Sequence, residues 1–120
     1  MRVLALRGAT TCDENTQAEI EAKTQKLVAE MLERNAIAHD DLVSIIFTAT
    51  DDLTAEFPAT AARALGLGDV PLLCARELNI DHGMKRTIRV LMHFYGDQTR
   101  KELHHVYREG ARSLRDDLPE

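Results

Sequence analysis

Lys85 to Tyr95 carries the alternation that most limits the fold. Ile88, Val90, Met92 and Phe94 take every second position, with Thr87, Arg89, Leu91, His93 and Tyr95 between them. Successive strand side chains point to opposite faces, so this is a long strand with one apolar face and one mixed face. The apolar face needs a layer packed over it. The mixed face holds an arginine between Ile88 and Val90, and guanidinium groups are rarely buried without an anionic partner. Arg89 therefore either pairs internally with Glu77 or receives an anion from outside.

The other elements fit around this strand. Met1 to Arg7 reads as a strand with Leu4 and Leu6 on one face and Val3, Ala5 and Arg7 on the other, ended by Gly8. Thr16-Gln17-Ala18-Glu19 has the form of a capping box and opens a helix to about Arg34. Its buried stripe is Ile20, Thr24, Leu27, Val28, Met31 and Leu32, and Asn35 supplies a left-handed stop. His39-Asp40-Asp41 is a turn, and Val43 to Thr48 a buried, partly β-branched strand. Pro58 begins a second, shorter helix with Gly66 just past its end. Val70 to Cys74 and Leu103 to Arg108 are further strands. The polar tail, Arg112 to Glu120, reads as frayed or docked on a neighbour.

Strand, helix, strand, helix and then three strands describe an α+β fold: one mixed sheet with two helices on one face. The chain of 120 residues is a single domain, spanning 1–120, without repeats or low-complexity segments. A chain this short buries only about two-thirds of its unfolded surface. Burial of the sheet's second face against other subunits is the natural supplement.

Composition removes several function classes. A formal net charge of −5 and a pI near 5.5 argue against nucleic-acid binding. No Trp is present to stack bases. Cys12 and Cys74 make no disulfide framework. No apolar run approaches ~18 residues and no secretory leader opens the chain, so a cytoplasmic location without membrane association is expected. There is no glycine-rich phosphate loop, paired-cysteine motif or nucleophile elbow. His82, His93, His104 and His105 match no zinc spacing, and no metal or cofactor is expected.

What remains is a set of arginines, a glutamate, a thiol and a tyrosine. Arg7 is a solvated strand end or, with Arg89, half of a bidentate receptor for carboxylate or phosphate. Glu77 follows a short apolar strand and serves as a general base or as a plain acceptor for a hydroxyl. Cys74 is an inert core thiol or a site residue. Tyr107 packs its ring and turns its hydroxyl to water or to a ligand. Lys85-Arg86 reads as an exposed turn, and Asp40-Asp41 and Asp51-Asp52 as loop and cap acids.

These residues fall in a recognisable order. Arg7-Gly8-Ala9-Thr10-Thr11 opens the chain, and Thr48-Ala49-Thr50-Asp51-Asp52-Leu53 follows. Phe57-Pro58-Ala59 comes next with Ala62-Arg63, then Val70-Pro71-Leu72-Leu73-Cys74 with Glu77. Ile88-Arg89-Val90, His105-Val106-Tyr107 and Leu114-Arg115 complete the series. Over nearly its whole length the chain resembles the monofunctional chorismate mutases of the AroH class, the small α+β type. The resemblance implies a trimer with a pseudo-barrel core and sites between adjacent subunits. It implies rearrangement of chorismate to prephenate, toward phenylalanine and tyrosine, without metal or cofactor.

By the same resemblance Arg89 donates to the ether oxygen of the substrate, and Arg7 clamps a carboxylate. Tyr107 bonds the enolpyruvyl carboxylate, Glu77 accepts from the ring hydroxyl, and Cys74 contacts the same region. Phe57, Ala59, Leu72 and Leu73 wall the pocket, with Leu114 beside them, and Arg63 and Arg115 stand at its mouth. Thr60 and Leu73 depart from residues common in relatives, lysine and threonine, and the loop from Gly66 to Asp69 is slightly short. Two other readings use the same residues. One is a non-catalytic trimeric carboxylate-binding protein, and the other a lyase or deaminase in which Cys74 or Glu77 does covalent or proton-transfer work.

Overall fold

In the computed structural model, which describes residues 1–114, the alternating segment becomes the central strand of a five-stranded mixed sheet. Numbered along the chain, the strands are β1 (Arg2–Thr11), β2 (Leu42–Ala49), β3 (Leu72–Arg76), β4 (Thr87–Gly96) and β5 (Val106–Tyr107). The helices are α1 (Gln17–Arg34) and α2 (Ala59–Ala64). The order across the sheet is β3-β2-β4-β1-β5. β4 pairs antiparallel with both β1 and β2, while β3 runs parallel to β2 and β5 parallel to β1.

Ile88, Val90, Met92 and Phe94 are buried, as their spacing requires. Leu4 and Leu6 of β1 and Ile45 and Phe47 of β2 join them on the same face. Leu27, Val28 and Met31 of α1 and Ala59 and Ala62 of α2 close over that face in one continuous core. Both helices thus lie on one side. The other side is open in the single chain: Val3, Leu73 and Tyr95 are 54%, 60% and 46% exposed.

Several boundaries differ from those expected. β1 does not end at Gly8 but runs on to Thr11. The glycine is there for space: a Cβ would stand 2.5 Å from Met31 Sδ and 3.1 Å from Leu27 Cδ1. Asn35 is not the left-handed residue. Its φ is −111°, and Ala36 takes the positive φ of 50°. Asn35 is instead a buried tie. Its amide donates to Met31 O and His104 O, and its side-chain oxygen accepts from His104 N. Because His104 spends both backbone groups on Asn35, the expected strand from Leu103 shrinks to Val106–Tyr107.

At the start of α1, Thr16 Oγ1 accepts from Glu19 N, as a cap should. The Glu19 carboxylate reaches one loop further and accepts from Asp13 N. β3 begins at Leu72 because Val70 N closes a turn on Leu67 O and Pro71 has no N–H. β4 begins at Thr87 because Arg86 has a φ of 45°. Arg112 and Ser113 of the polar tail belong to a 3-10 turn, Glu109–Ser113. Leu114 follows it, and residues 115–120 lie outside the described residues.

Gly8→Ala is expected to destabilise the fold by about 1–3 kcal/mol, the usual effect of overpacking a full core. Trimming Met31 to alanine in the same background should make the combined loss smaller than the sum of the single losses. Urea midpoints of the three variants check this, and strict additivity would show that helix and strand do not collide.

Candidate functional site

The open face of the sheet collects the polar groups that the helix-covered face excludes. Arg89 projects from β4 there, flanked by Thr48 of β2 and Ala9 of β1 in direct register. Glu77 lies one residue beyond β3. Its N–H bonds to Ala49 O at 3.0 Å, which extends the β2–β3 pairing and brings its carboxylate over Thr48. Arg89 Nε meets Glu77 Oε2 at 3.1 Å, and the Thr48 hydroxyl donates to that same oxygen. With a hydroxyl donor and a cation on one oxygen, Glu77 acts here as an acceptor.

The internal pairing expected of Arg89 is therefore present, yet it does not consume the guanidinium. Only Nε is engaged among the described residues, and the side chain is 45% exposed. Arg7 stands on β1 opposite Leu91 and has no ion-pair partner among the described residues. Its backbone N–H is fixed by His105 Nδ1 at 2.9 Å. Tyr107, opposite Ala9 on β5, is 7% exposed and packs with Ala9 and Ala111. Arg7, Glu77, Arg89 and Tyr107 line one cleft of about 300 Å³, floored by Ile46, Val90 and Leu91. Such a cleft suits a small dianion with an apolar body and at least one hydroxyl.

The remaining predicted residues lie elsewhere in the chain. Cys74 pairs in register with the buried Phe47 and packs against the helix-side core, away from Arg89. It shares a second cleft, about 450 Å³, with Phe57, Leu53, Pro58 and Arg76. Phe57 is 66% exposed there. Ala59 is buried within α2, whereas Arg63 is exposed on that helix. Leu72 leans toward the core, and Leu73 points to the open face beside Ile46. Leu114 packs against the Tyr107 cluster. Arg115 lies outside the described residues. Thr60, like Arg63, lies on α2.

Three residues were not picked out for these roles by sequence. Thr48 is signalled only by being polar in an apolar strand. Arg76 donates to the carbonyls of Thr50 at 2.6 Å and Leu53 at 3.1 Å, and so fixes the loop after β2. Asp52 accepts Arg86 N on both oxygens at 3.0 Å and also takes the Thr50 hydroxyl. Desolvation pushes the Asp52 carboxyl up, but these hydrogen bonds outweigh it and hold the group below its ordinary value. This latch seats Arg86 and thereby the start of β4. Among the described residues no three His, Cys, Asp or Glu side chains converge on a metal-sized site, and no helix is long and apolar enough to cross a membrane.

Comparison with known proteins extends this picture. The family model for chorismate mutase type I matches residues 3–118. Chorismate mutase AroH of Thermus thermophilus is 44% identical over 117 residues, 97% of this chain and 96% of that protein. Chorismate mutase AroH of Bacillus subtilis (strain 168) is 40% identical over 119 residues, 98% of this chain and 94% of that protein. A solved chorismate mutase from Clostridium thermocellum superposes with a TM-score of 0.89 at 48% identity, over 91% of this chain and 97% of that one.

The two thiols should behave differently. Burial, with Glu19 next in weight, pushes the Cys12 thiol from 9.0 to about 11, while Cys74 is only partly buried. Iodoacetamide at pH 8 is expected to label Cys74 and to reach Cys12 only after unfolding. The stability gained by keeping Cys12 un-ionised is complete below pH 9.0 and fades as pH rises toward about 11. Peptide mapping after alkylation of the native protein checks the first point, and urea midpoints across that pH range the second.

Proposed function

The chain belongs to the chorismate mutase type I family, and from that membership we propose how its side chains carry the reaction. The enzyme is an isomerase that converts chorismate to prephenate, a step of aromatic amino-acid biosynthesis. The reaction is an intramolecular rearrangement of an allyl vinyl ether. One C–O bond breaks as one C–C bond forms, and no proton, electron or group leaves the molecule. A catalyst for it needs only to fold the substrate and to stabilise charge on the departing ether oxygen.

Arg89 meets that second need. Its free terminal amines donate to the ether oxygen as negative charge grows, from a position fixed before the reaction starts. Arg7 clamps one carboxylate, and the Tyr107 hydroxyl bonds the carboxylate of the enolpyruvyl arm. Holding both ends compresses the substrate into its reactive conformer. Glu77 accepts from the ring hydroxyl through its second oxygen, Oε1. The observation that carries this reading is the convergence of Arg7, Glu77, Arg89 and Tyr107 on one cleft.

Cys74 and Phe57 supply the opposite wall from a neighbouring copy, backed by Ala59 and Leu72, with Leu73 and Leu114 at the seam and Arg63 at the mouth. Two observations support this arrangement. The cleft around Phe57 and Cys74 is separate from the one around Arg89 within a single chain. The open sheet face also exposes Val3, Leu73 and Tyr95. The assembly proposed is a cytoplasmic homotrimer of single-domain chains whose open faces form a shared, barrel-like centre. A non-catalytic carboxylate binder on the same scaffold is not favoured, since the relatives are mutases by name.

Loss of chorismate's ultraviolet absorbance on adding the protein, with prephenate as the only product, tests the activity. Arg89→Ala is expected to lower kcat by on the order of 10³-fold or more, with the fold retained. Arg7→Ala is expected to act mainly on KM, because its carboxylate contact exists in ground and transition states alike. An Arg89→Ala enzyme with near-normal kcat would remove charge stabilisation from the mechanism.

A further inference from the structure

The pairing of Arg89 with Glu77 presents a difficulty for the mechanism above. A glutamate beside a catalytic guanidinium is also its natural competitor. Carboxylates take arginine most strongly through two parallel N–H bonds, at least one of them from a terminal amine, which would occupy donors needed by the substrate. Here the ion pair runs through Nε, at 3.1 Å, and among the described residues neither terminal amine of Arg89 makes a hydrogen bond. The backbone does not impose that geometry by itself. Glu77 lies beyond the last residue of β3, anchored by one backbone bond to Ala49 O, and three side-chain torsions separate its carboxylate from the chain.

One group supplies the missing restraint. Thr48 stands on β2 directly across from Arg89, and its hydroxyl donates to Glu77 Oε2, the oxygen that also forms the ion pair with Arg89 Nε. The Thr48 side chain is branched at Cβ and its backbone is paired on both sides, to Ala75 and Arg89, so its own χ1 is restricted. A stiff donor on a paired strand thus pins one carboxylate oxygen between itself and Nε. The carboxylate cannot swing to the outer edge of the guanidinium without giving up that bond.

We propose that Thr48 is a positioning residue for the rearrangement: by holding Glu77 on Nε, it keeps both terminal amines of Arg89 available to the substrate. The inference rests on the mutase reading and deepens it. It also assigns Glu77 a second task, orienting Arg89 as a fixed anion, besides accepting from the ring hydroxyl. Thr48 itself touches neither reacting bond.

The test is steady-state kinetics with chorismate on wild type, Thr48→Val, Thr48→Ser, Glu77→Gln and the Thr48→Val/Glu77→Gln double variant. Valine keeps the shape of threonine and removes only the donor. Thr48→Val should lower kcat by about 10-fold or more, the range for a lost hydrogen bond to a charged group, with KM changing far less. Thr48→Ser should retain most of the wild-type kcat. In the Glu77→Gln background the valine substitution should add little, because the two changes break one unit. A packing role alone would instead lower thermal stability, leave kcat in place and show no coupling to Glu77. Wild-type kcat in Thr48→Val, or a serine variant as poor as the valine one, overturns the inference while leaving the mutase reading intact. An inactive wild-type protein overturns both.

Discussion

The register of β4 is the constraint on which the rest depends. Strand side chains alternate with a period of two, so a slip of one residue would send Arg89 under the helices and Val90 into water. Two neighbours prevent that slip. β1 and β2 both pair antiparallel with β4, and the buried sets of all three strands mesh beneath α1 and α2. Burying a charged guanidinium unpaired costs several kcal/mol, which adds to the apolar loss on the other face. The same packing that makes the core therefore aims the charge. Thr48, Ala9, Leu91 and Arg7 inherit their positions from it through the ladder.

The second constraint is area. Five strands present two faces, and two helices cover one. Among the described residues no further helix lies over the open side. In the arrangement proposed above, the uncovered face and the unfinished cleft are remedied together, since a neighbouring copy buries the former and completes the latter. Stability and catalysis would then depend on the same association, and dilution would weaken both.

Much of this was legible in the sequence because it follows from local periodicity. The apolar set of β4, the stripe of α1 and the cap at Thr16 are each written within a few residues. Arg89 stood out because a charge inside an apolar strand demands a partner. Other features were hidden because their causes are tertiary. Gly8 looks like a strand end but is a place where Met31 approaches the backbone. Asn35 looks like a helix stop but ties α1 to His104 across a long stretch of chain. Thr48 looks like one more β-branched residue, and its hydroxyl acquires meaning only when Glu77 arrives from another strand. The role of Cys74 was left open in sequence, and its position on the helix side of the sheet is compatible with a site role only through the association proposed above.

The edge of the sheet at β5 adds a feature of a different kind. Only two residue pairs join it to β1, Gly8 with Val106 and Ala9 with Tyr107. Outside the ladder the segment is held by Arg108 N on Ala9 O, Gly110 N on Thr11 Oγ1, and the ion pairs of Lys23 with Glu109 and Glu30 with Arg108. Most of these bonds are exposed or near the surface, and opening them leaves the ten-pair ladder between β1 and β4 intact. Val106 seats the segment in the main core, so it is expected to open less readily than a free edge but more readily than β4, which is paired on both sides. In the mechanism proposed above, the hydroxyl that binds a substrate carboxylate would then sit on the less durable unit, and the guanidinium that meets the ether oxygen on the more durable one.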